Sequence, residues 1–500
     1  MKKQLKIIRN YIGKYLLNFL IKTKQFKRFP IFIKFFPKSR YKAMHSLMRR
    51  GYLELAYQVW QNSTEDIKDF EQEIVQRVVS MQQIRKDGVQ FPLSSYDTSP
   101  TIHPLFVVHN SLPYDKSGYA IRTHSIVTNL KDDIDLEVVT RAGYPWDLQK
   151  HRELPFKASD MIDGIEYIRL FDKDKFFKKG SDLDYINIYA DEIIKVAREK
   201  NSTILHASSN YFNALASLKA SESLKLPVIY EMRGLWHITR TTLDSEFKYQ
   251  GMYEYEEVLE RSIALQATKV VTISEALKVL LLSWGIDEEK ISVIPNAVDL
   301  DKFKPLEKNK ELLKKYNLKD KFVIGFIGSI TKYEGLYELI KSIDRLYYDG
   351  YEDIVLMIVG DGKELESLKK LSNSQNIIFT GRVPFEEVNN YYSIFDICPF
   401  PRNNYEVCRY VPPLKVLEAM AMEKAIIVSD VAPLLEIVND RINGLVCISD
   451  DIDSLTNTIL QVYRDDKLRE SIAKNASEWV GENRSWKAIS NRYIKLYLSL

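Results

Sequence analysis

The chain has 500 residues, 45% hydrophobic and 28% charged, with a net charge of +3. That length predicts two domains of ordinary size plus extensions, and the composition is that of a globular, soluble-type protein. Three cysteines, Cys398, Cys408 and Cys447, with no CxxC spacing, argue against a disulfide framework or a zinc site and fit a reducing compartment.

The small net charge hides an asymmetry. Residues 1–53 hold fifteen Lys or Arg and no Asp or Glu, so the other 447 carry a net −12. In this arm Leu5, Ile8, Ile12, Leu16 and Phe19 recur at helical spacing with lysines between and after them, and "FPIFIKFFP" adds aromatics. Its longest uncharged run, "YLLNFLI", falls far short of the ~20 residues a spanning helix needs. No small-residue cleavage site follows it, which argues against a signal peptide. The arm reads as an interfacial anchor on an anionic membrane surface, each Lys or Arg contributing about 1 kcal/mol. A nucleic-acid arm and a solvated extension packed on the acidic remainder compete with that reading. No nucleic-acid module accompanies the arm, so no nucleic-acid partner is expected.

Residues 54–103 form a helical extension and linker: "YLELAYQVW" and "FEQEIVQRVVSM" have helical periodicity, and "DGVQFPLSSYDTSPTIHP" opposes regular structure. From Leu105, short β-branched runs alternate with helical segments. "LFVVH", "LEVVT", "STILHA", "PVIYEM", "KVVTIS" and "ISVIPN" come first, then "FVIGFIG", "IVLMIVG", "NIIFTG", "FDICPF" and "AIIVSD". Such alternation predicts an α/β protein with two doubly wound parallel sheets, binding ligands beyond the carboxyl ends of the strands. The expected domains are 104–300 and 301–480, divided near "PNAVDLDKFKP", with a terminal helix over 481–500.

Two loops in the second half invite an anion. "FVIGFIGSITKYEGLYELI" ends a strand at Gly328 and starts a helix near Gly335, though it has neither GxGxxG nor GxxxxGK[ST]. In "YVPPLKVLEAM", Pro412 and Pro413 suit a first helical turn, and the N–H groups of Leu414 and Lys415 stay open to an anion. Lys415 and Glu418, three apart, share a face.

These blocks, taken in order with "VTISEALKVLLLSWGIDEEKISVIPNAVDLDKFKP", "IVGDGKELESLKKL", "IIFTGRVPFEEVNNYYSIFDICPFPR" and "INGLV", resemble the family 4 glycosyltransferases, retaining enzymes of the GT-B fold. "HNSLPYDKSGYAIRTHSI" and "VIYEMRGLWH" extend the resemblance into the first half, so it covers roughly residues 104–500. It implies two facing Rossmann-like domains, with a nucleotide-sugar held mainly by the second and a glycan or lipid-linked acceptor by the first. The last segment, "SWKAISNRYIKLYLSL", would cross back to the first domain.

By that resemblance the anion is the donor diphosphate. Glu418 matches the second glutamate of the family's Glu, seven residues, Glu pattern and would hold the ribose; a carboxylate accepts two hydroxyl hydrogen bonds at once. The first glutamate falls on Tyr410, and the usual diphosphate-clamping arginine and lysine fall on Ser329 and Glu334. The sequence instead resembles the branch with "YEGL" and "PPLK", so Lys415, then Arg402, then Lys332 or Arg409 are the expected replacement cations, with Ser329, Gly335 and Leu414 lining the donor. In the first half, Gly118 would approach phosphate or sugar, and His206, expected at a strand end, would be an active-site histidine. His124, Ser208 and Asn210 are candidate sugar contacts. Glu231 and Arg233 follow a buried strand, so they either pair or meet a ligand, and a ligand is expected.

DxD spacings at Asp133 and Asp135, Asp182 and Asp184, and Asp299 and Asp301 read as loops or turns; no metal or cofactor is expected. The reading is a cytoplasmic transferase, peripheral on the inner membrane face, making cell-surface polysaccharide or glycoconjugate. Its alternatives are a soluble transferase acting on a protein or small molecule, and a non-catalytic subunit marked by Tyr410.

Overall fold

A computed structural model describes residues 2–62, 69–92, 95–97, 99–170, 181–371 and 374–500, with the side chains of residues 2–10 and 69–70 outside the description. Parts of the expected linker (93, 94 and 98) and of the helical extension (63–68) lie outside the described residues, as do the side chains of Leu5 and Ile8.

The basic arm folds into helices α1 (Lys2–Lys22), α2 (Phe29–Phe35) and α3 (Arg40–Met48), and the extension adds α4 (Leu53–Gln61) and α5 (Asp69–Asp87). They bury Leu17, Phe29, Met44, Leu47, Leu53 and Val78. The charge most deeply buried in this layer is paired: Arg40 meets Glu71 at 2.5 Å. Arg85 meets Glu54 at 2.6 Å and Glu254 at 3.0 Å. The linker then runs without regular structure along the helix Gly251–Gln266, where Gln266 accepts from Phe91 N (2.8 Å) and donates to the Val89 carbonyl (2.7 Å).

The first sheet has eight strands in the order β3-β4-β2-β1-β5-β6-β7-β8. They are β1 (Pro104–Val108), β2 (Glu137–Thr140), β3 (Ser159–Ile162), β4 (Ile165–Arg169), β5 (Ile204–Ser208), β6 (Val228–Met232), β7 (Lys269–Thr272) and β8 (Ile291–Val293). The registers β1–β2, β1–β5, β2–β4 and β5–β6 are parallel, and β3–β4 is antiparallel. The sequence reading missed this hairpin: "SDMI" is polar and half-exposed, so it lacks the apolar run of a sheet interior.

The second sheet has the order β11-β10-β9-β12-β13-β14, formed by β9 (Phe322–Ile327), β10 (Ile354–Val359), β11 (Ile377–Gly381), β12 (Ile397–Phe400), β13 (Ala425–Ser429) and β14 (Leu445–Cys447). All its registers are parallel. The short β14 was also missed. In both sheets the order reverses once, between β1 and β5 and between β9 and β12, and chains leaving such neighbouring strands diverge to leave a ligand crevice at their carboxyl ends.

The chain divides into two compact units. One comprises residues 1–116, 133–270 and 284–290; the other comprises 117–132, 271–283 and 291–500. Helix α6 (Gly118–Leu130) therefore groups with the second unit, where the terminal helix Trp486–Leu498 meets it. Arg122 of α6, 2% exposed, joins them by donating to Tyr493 Oη at 2.9 Å and to the carbonyls of Ile294 (2.8 Å) and Pro295 (2.9 Å).

Candidate active site

In the second unit the two loops at the β9/β12 reversal press together, and glycine makes the approach possible. Gly335 adopts φ +71°, and a Cβ there would lie 1.7 Å from the Pro401 carbonyl oxygen. A Cβ on Gly360 would lie 1.9 Å from the Gly328 carbonyl oxygen. Glu334 is thereby carried beside residues 401–402.

Glu334 is the hub of the site. Its Oε2 lies 3.0 Å from Lys415 Nζ and 3.9 Å from Arg402 Nε, with all three side chains at most 13% exposed. Burial alone would raise the Glu334 carboxyl; the Lys415 and Arg402 charges outweigh it and hold the group below its ordinary value, ionised. Two cations thus share one carboxylate; burial pulls the Lys415 ammonium below its ordinary value, opposed by Glu334 and by the nearby Glu418. Arg402 also donates Nη1 to the Val411 carbonyl at 2.7 Å. Lys415 Nζ sits 4.5 Å from the centre of the Phe326 ring, and it would be 2.8 Å from a Cβ on Gly328.

The helix that carries Lys415 runs Leu414–Ala421. Pro413 is its N-cap, so the two prolines precede the helix instead of filling its first turn, as the sequence had suggested. Ser274 Oγ donates to the Tyr410 carbonyl (2.6 Å) and Asn296 Nδ2 to the Pro412 carbonyl (3.2 Å), fixing the approach to that helix start. One turn on, Glu418 Oε2 accepts from Tyr392 Oη at 3.2 Å, and burial raises its carboxyl. A Cβ on Gly118, at the start of α6, would lie 3.4 Å from Leu414 Cδ1, so those two expected donor residues are neighbours.

Other expected donor residues make no ion pair with this cluster among the described residues, although Ser329 follows Gly328, which packs against Lys415, and Lys332 shares a helical turn with Glu334. Ser329 is exposed at the tip of the β9 loop. Lys332 Nζ sits 5.6 Å from the Tyr405 ring centre and lines a cavity of about 600 Å³ with Thr331, Tyr337 and Asn403. Arg409 is exposed and donates Nε to Asn404 Oδ1 at 2.8 Å.

In the first unit, Glu231 is the hub. Its Oε2 lies 2.8 Å from Arg233 Nη2 and 3.2 Å from His206 Nε2, with Glu231 and His206 wholly buried. Glu231 and Arg233 pair with each other, one of the two fates the sequence left open. His206 lies inside β5, not at its end, and stacks on Phe106 with centres 4.6 Å apart. It has no exposed surface. Ser208 Oγ and Asn210 Nδ2, at the end of β5, are buried without a hydrogen-bond partner among the described residues. His124 sits half-buried on α6. Asp182 and Asp184 are not in a loop: they open the helix Asp182–Glu199, where Asp184 and Ser181 cap each other. Asp299 accepts from Asp301 N (3.0 Å) and Lys302 N (3.2 Å) as a turn.

Sequence reasoning missed Glu334, Tyr392 and Arg122. For Glu334 a signal existed: a carboxylate stands where the resemblance calls for a lysine, while a lysine appears at 415.

Two doubly wound sheets, each with buried ionic groups at its strand-order reversal, define a glycosyltransferase of the GT-B fold. The solved structure of Anabaena HepE in complex with UDP has this fold, with a TM-score of 0.62 at 16% identity over 80% of this chain and all of that one. Residues 118–302 match Glycosyltransferase Family 4 and residues 308–479 match Glycosyl transferases group 1; the chain belongs to the family 4 glycosyltransferases. An uncharacterized glycosyltransferase of Methanocaldococcus jannaschii is 30% identical over 51% of this chain, the match spanning 64% of that relative, just under two thirds. The N,N'-diacetylbacillosaminyl-diphospho-undecaprenol alpha-1,3-N-acetylgalactosaminyltransferase of Campylobacter jejuni is 28% identical over 61% of this chain and 79% of its own length.

Proposed function

We propose that the protein is a retaining glycosyltransferase that moves a hexosyl or N-acetylhexosaminyl group from a nucleotide-sugar to a glycan or lipid-linked acceptor, in cell-surface polysaccharide or glycoconjugate synthesis at the inner membrane face. The observation that carries this reading is the meeting of two buried cations, Lys415 and Arg402, at Glu334 beside the β9/β12 reversal. The Campylobacter relative, named for a lipid-diphosphate-linked substrate, supports the acceptor class.

Lys415, Arg402 and the first amides of the helix Leu414–Ala421 grip the donor diphosphate, and Glu418 takes the ribose hydroxyls. The bond from the sugar's anomeric carbon to the diphosphate breaks as the acceptor oxygen bonds to the same face, and the acceptor's proton passes to the departing phosphate oxygen. Negative charge grows on that leaving group, and a cation in a dry setting stabilises it more than water would. These cations suffice without a metal or cofactor. Gly118, His124, Ser208, Asn210, Glu231 and Arg233 are assigned to the sugar or acceptor, and His206 to the buried contact that orients Glu231.

A second reading, a non-catalytic subunit, rests on Tyr410 in place of the family's first carboxylate. Incubation with UDP-, GDP- and ADP-linked sugars plus a polyprenyl-diphosphate-sugar acceptor tests both. Release of nucleoside diphosphate with an axial anomeric linkage retained in the product, read by NMR, supports the proposal. An inverted product would refute retention, and nucleotide binding without turnover would favour the subunit.

A further inference from the structure

Helix α1 is apolar on two opposite faces, and only one of them is used by the fold. Gly13, Leu17 and Leu20 are buried against the body, where a Cβ on Gly13 would come 2.8 Å from the Phe36 ring. Around the helix from these, Tyr11 (76% exposed), Ile12, Tyr15 (71%), Leu16 and Phe19 (51%) form a continuous stripe in solvent. Helix α2 repeats the arrangement: Phe29, Pro30, Phe32 and Ile33 are buried, while Ile31 (63%) and Phe35 (62%) face outward.

Such a stripe of large side chains needs a cover, and the surrounding charge says which. Lys14, Lys22, Lys24, Lys27, Arg28, Lys34 and Lys38 are all exposed in the same segment, which has no acidic residue. A second copy of this surface would bring the same seven exposed cations against the first. A nucleic acid would satisfy the lysines but leave Ile12, Leu16 and Ile31 with nothing to bury them. An anionic lipid bilayer answers both features, receiving aromatic and aliphatic groups at the headgroup level and pairing lysines with phosphate.

We infer that Tyr11, Ile12, Tyr15, Leu16 and Phe19 of α1, with Ile31 and Phe35 of α2, are the surface by which the protein enters an anionic bilayer. This deepens the membrane part of the function proposed above. The arm acts as a folded platform and not as a loose tail: α1 packs on the turns flanking α2 and meets α3 where Lys42 Nζ donates to Asn18 Oδ1 at 2.6 Å, α2 packs on α4, and α4 and α5 are tied to the helix Gly251–Gln266 through Arg85. No helix among the described residues is long and apolar enough to cross a membrane, which fits seating at the interface.

The test is flotation of the full chain with vesicles of equal parts phosphatidylglycerol and phosphatidylcholine, and with phosphatidylcholine alone. Wild type is expected to float with the anionic vesicles only. Tyr15→Ser, Phe19→Ser and Ile31→Ser combined should reduce binding by about tenfold or more, since each removes a side chain's worth of apolar burial. Circular dichroism should stay at wild-type level because these side chains are exposed, and so should nucleoside-diphosphate release with a water-soluble acceptor analogue, which needs no membrane attachment. If the serine variant binds as wild type does while Lys14→Gln, Lys22→Gln and Lys34→Gln combined does not, the assigned face is wrong, though attachment by charge stands. Failure of wild type to float overturns both the face and the membrane part of the proposal, leaving the release assay to judge glycosyl transfer separately. A wild-type dimer that dissociates on serine substitution would show that a second copy covers the stripe, and would equally overturn the inference.

Discussion

Replacing Lys415 by Met removes one of two cations facing Glu334 and leaves that carboxylate buried. Attraction falls as the inverse of distance, so Arg402, at 3.9 Å against 3.0 Å for Lys415, retains about three quarters of the pull of a single partner. Breaking a buried pair costs about 3–5 kcal/mol, and with Arg402 still in place Lys415→Met should sit at the low end, about 3 kcal/mol, read by urea unfolding followed by circular dichroism. Nucleotide affinity should fall separately. A hydrogen bond to a charged group is worth about 1.5–3 kcal/mol, hence roughly 10- to 150-fold weaker binding of the preferred nucleoside diphosphate by calorimetry. The decisive variant is Lys415→Met with Glu334→Gln. Neutralising this pair leaves Arg402 buried without its carboxylate, so the double variant should recover only part of the stability, while the affinity should stay low because the lysine cation is gone. If the double variant regains nucleotide binding together with stability, Lys415 serves the fold alone and the donor assignment is refuted.

Three further outcomes follow from the same geometry. Glu418→Gln should weaken nucleoside-diphosphate binding about tenfold while leaving inorganic pyrophosphate binding unchanged, because only the nucleotide presents ribose hydroxyls; equal losses for both ligands would contradict the ribose role. Gly335→Ala should cost more than about 2 kcal/mol, through its φ of +71° and its clash with Pro401, whereas Gly350→Ala, with nothing within 4 Å, should cost about 1 kcal/mol by unfolding titration. Glu260, buried beneath Tyr230 Oη at 2.5 Å, has its carboxyl pushed up to about 8 by burial. Its stabilising effect is therefore full below the unfolded value near 4.5 and is lost as pH rises through 8. Glu260→Gln should match wild type at pH 5 and exceed it by on the order of 3 kcal/mol at pH 9, and a difference that does not grow with pH would count against the assignment.

Much of this protein is readable as a linear pattern. Eleven of the strands announce themselves as β-branched runs such as "FVIGFIG" and "AIIVSD", because strands covered on both faces must be apolar throughout. The same reading passed over β3, β4 and β14, which are short or polar enough to resemble loop. The basic arm was legible for a similar reason, since charge and helical period are properties of spacing alone. Lys415 and Glu418 could be singled out because three residues apart on a helix means one face, whatever the rest of the chain does.

Which groups meet across the fold was another matter. Glu334 precedes Lys415 by 81 positions and Arg402 by 68, and nothing in their spacing says that one carboxylate answers both cations. That contact depends on Gly335 letting the β9 loop come within touching distance of Pro401, a consequence of strand order. The pairing of Glu231 with Arg233 and His206, and the choice of which face of α1 is buried and which left in water, likewise required coordinates. Local chemistry and periodicity are carried by neighbours along the chain, and so the sequence alone determined the elements, their class and the charge of the arm. Partnership between distant buried charges is decided by the path of the backbone in space, and only the tertiary structure supplied it.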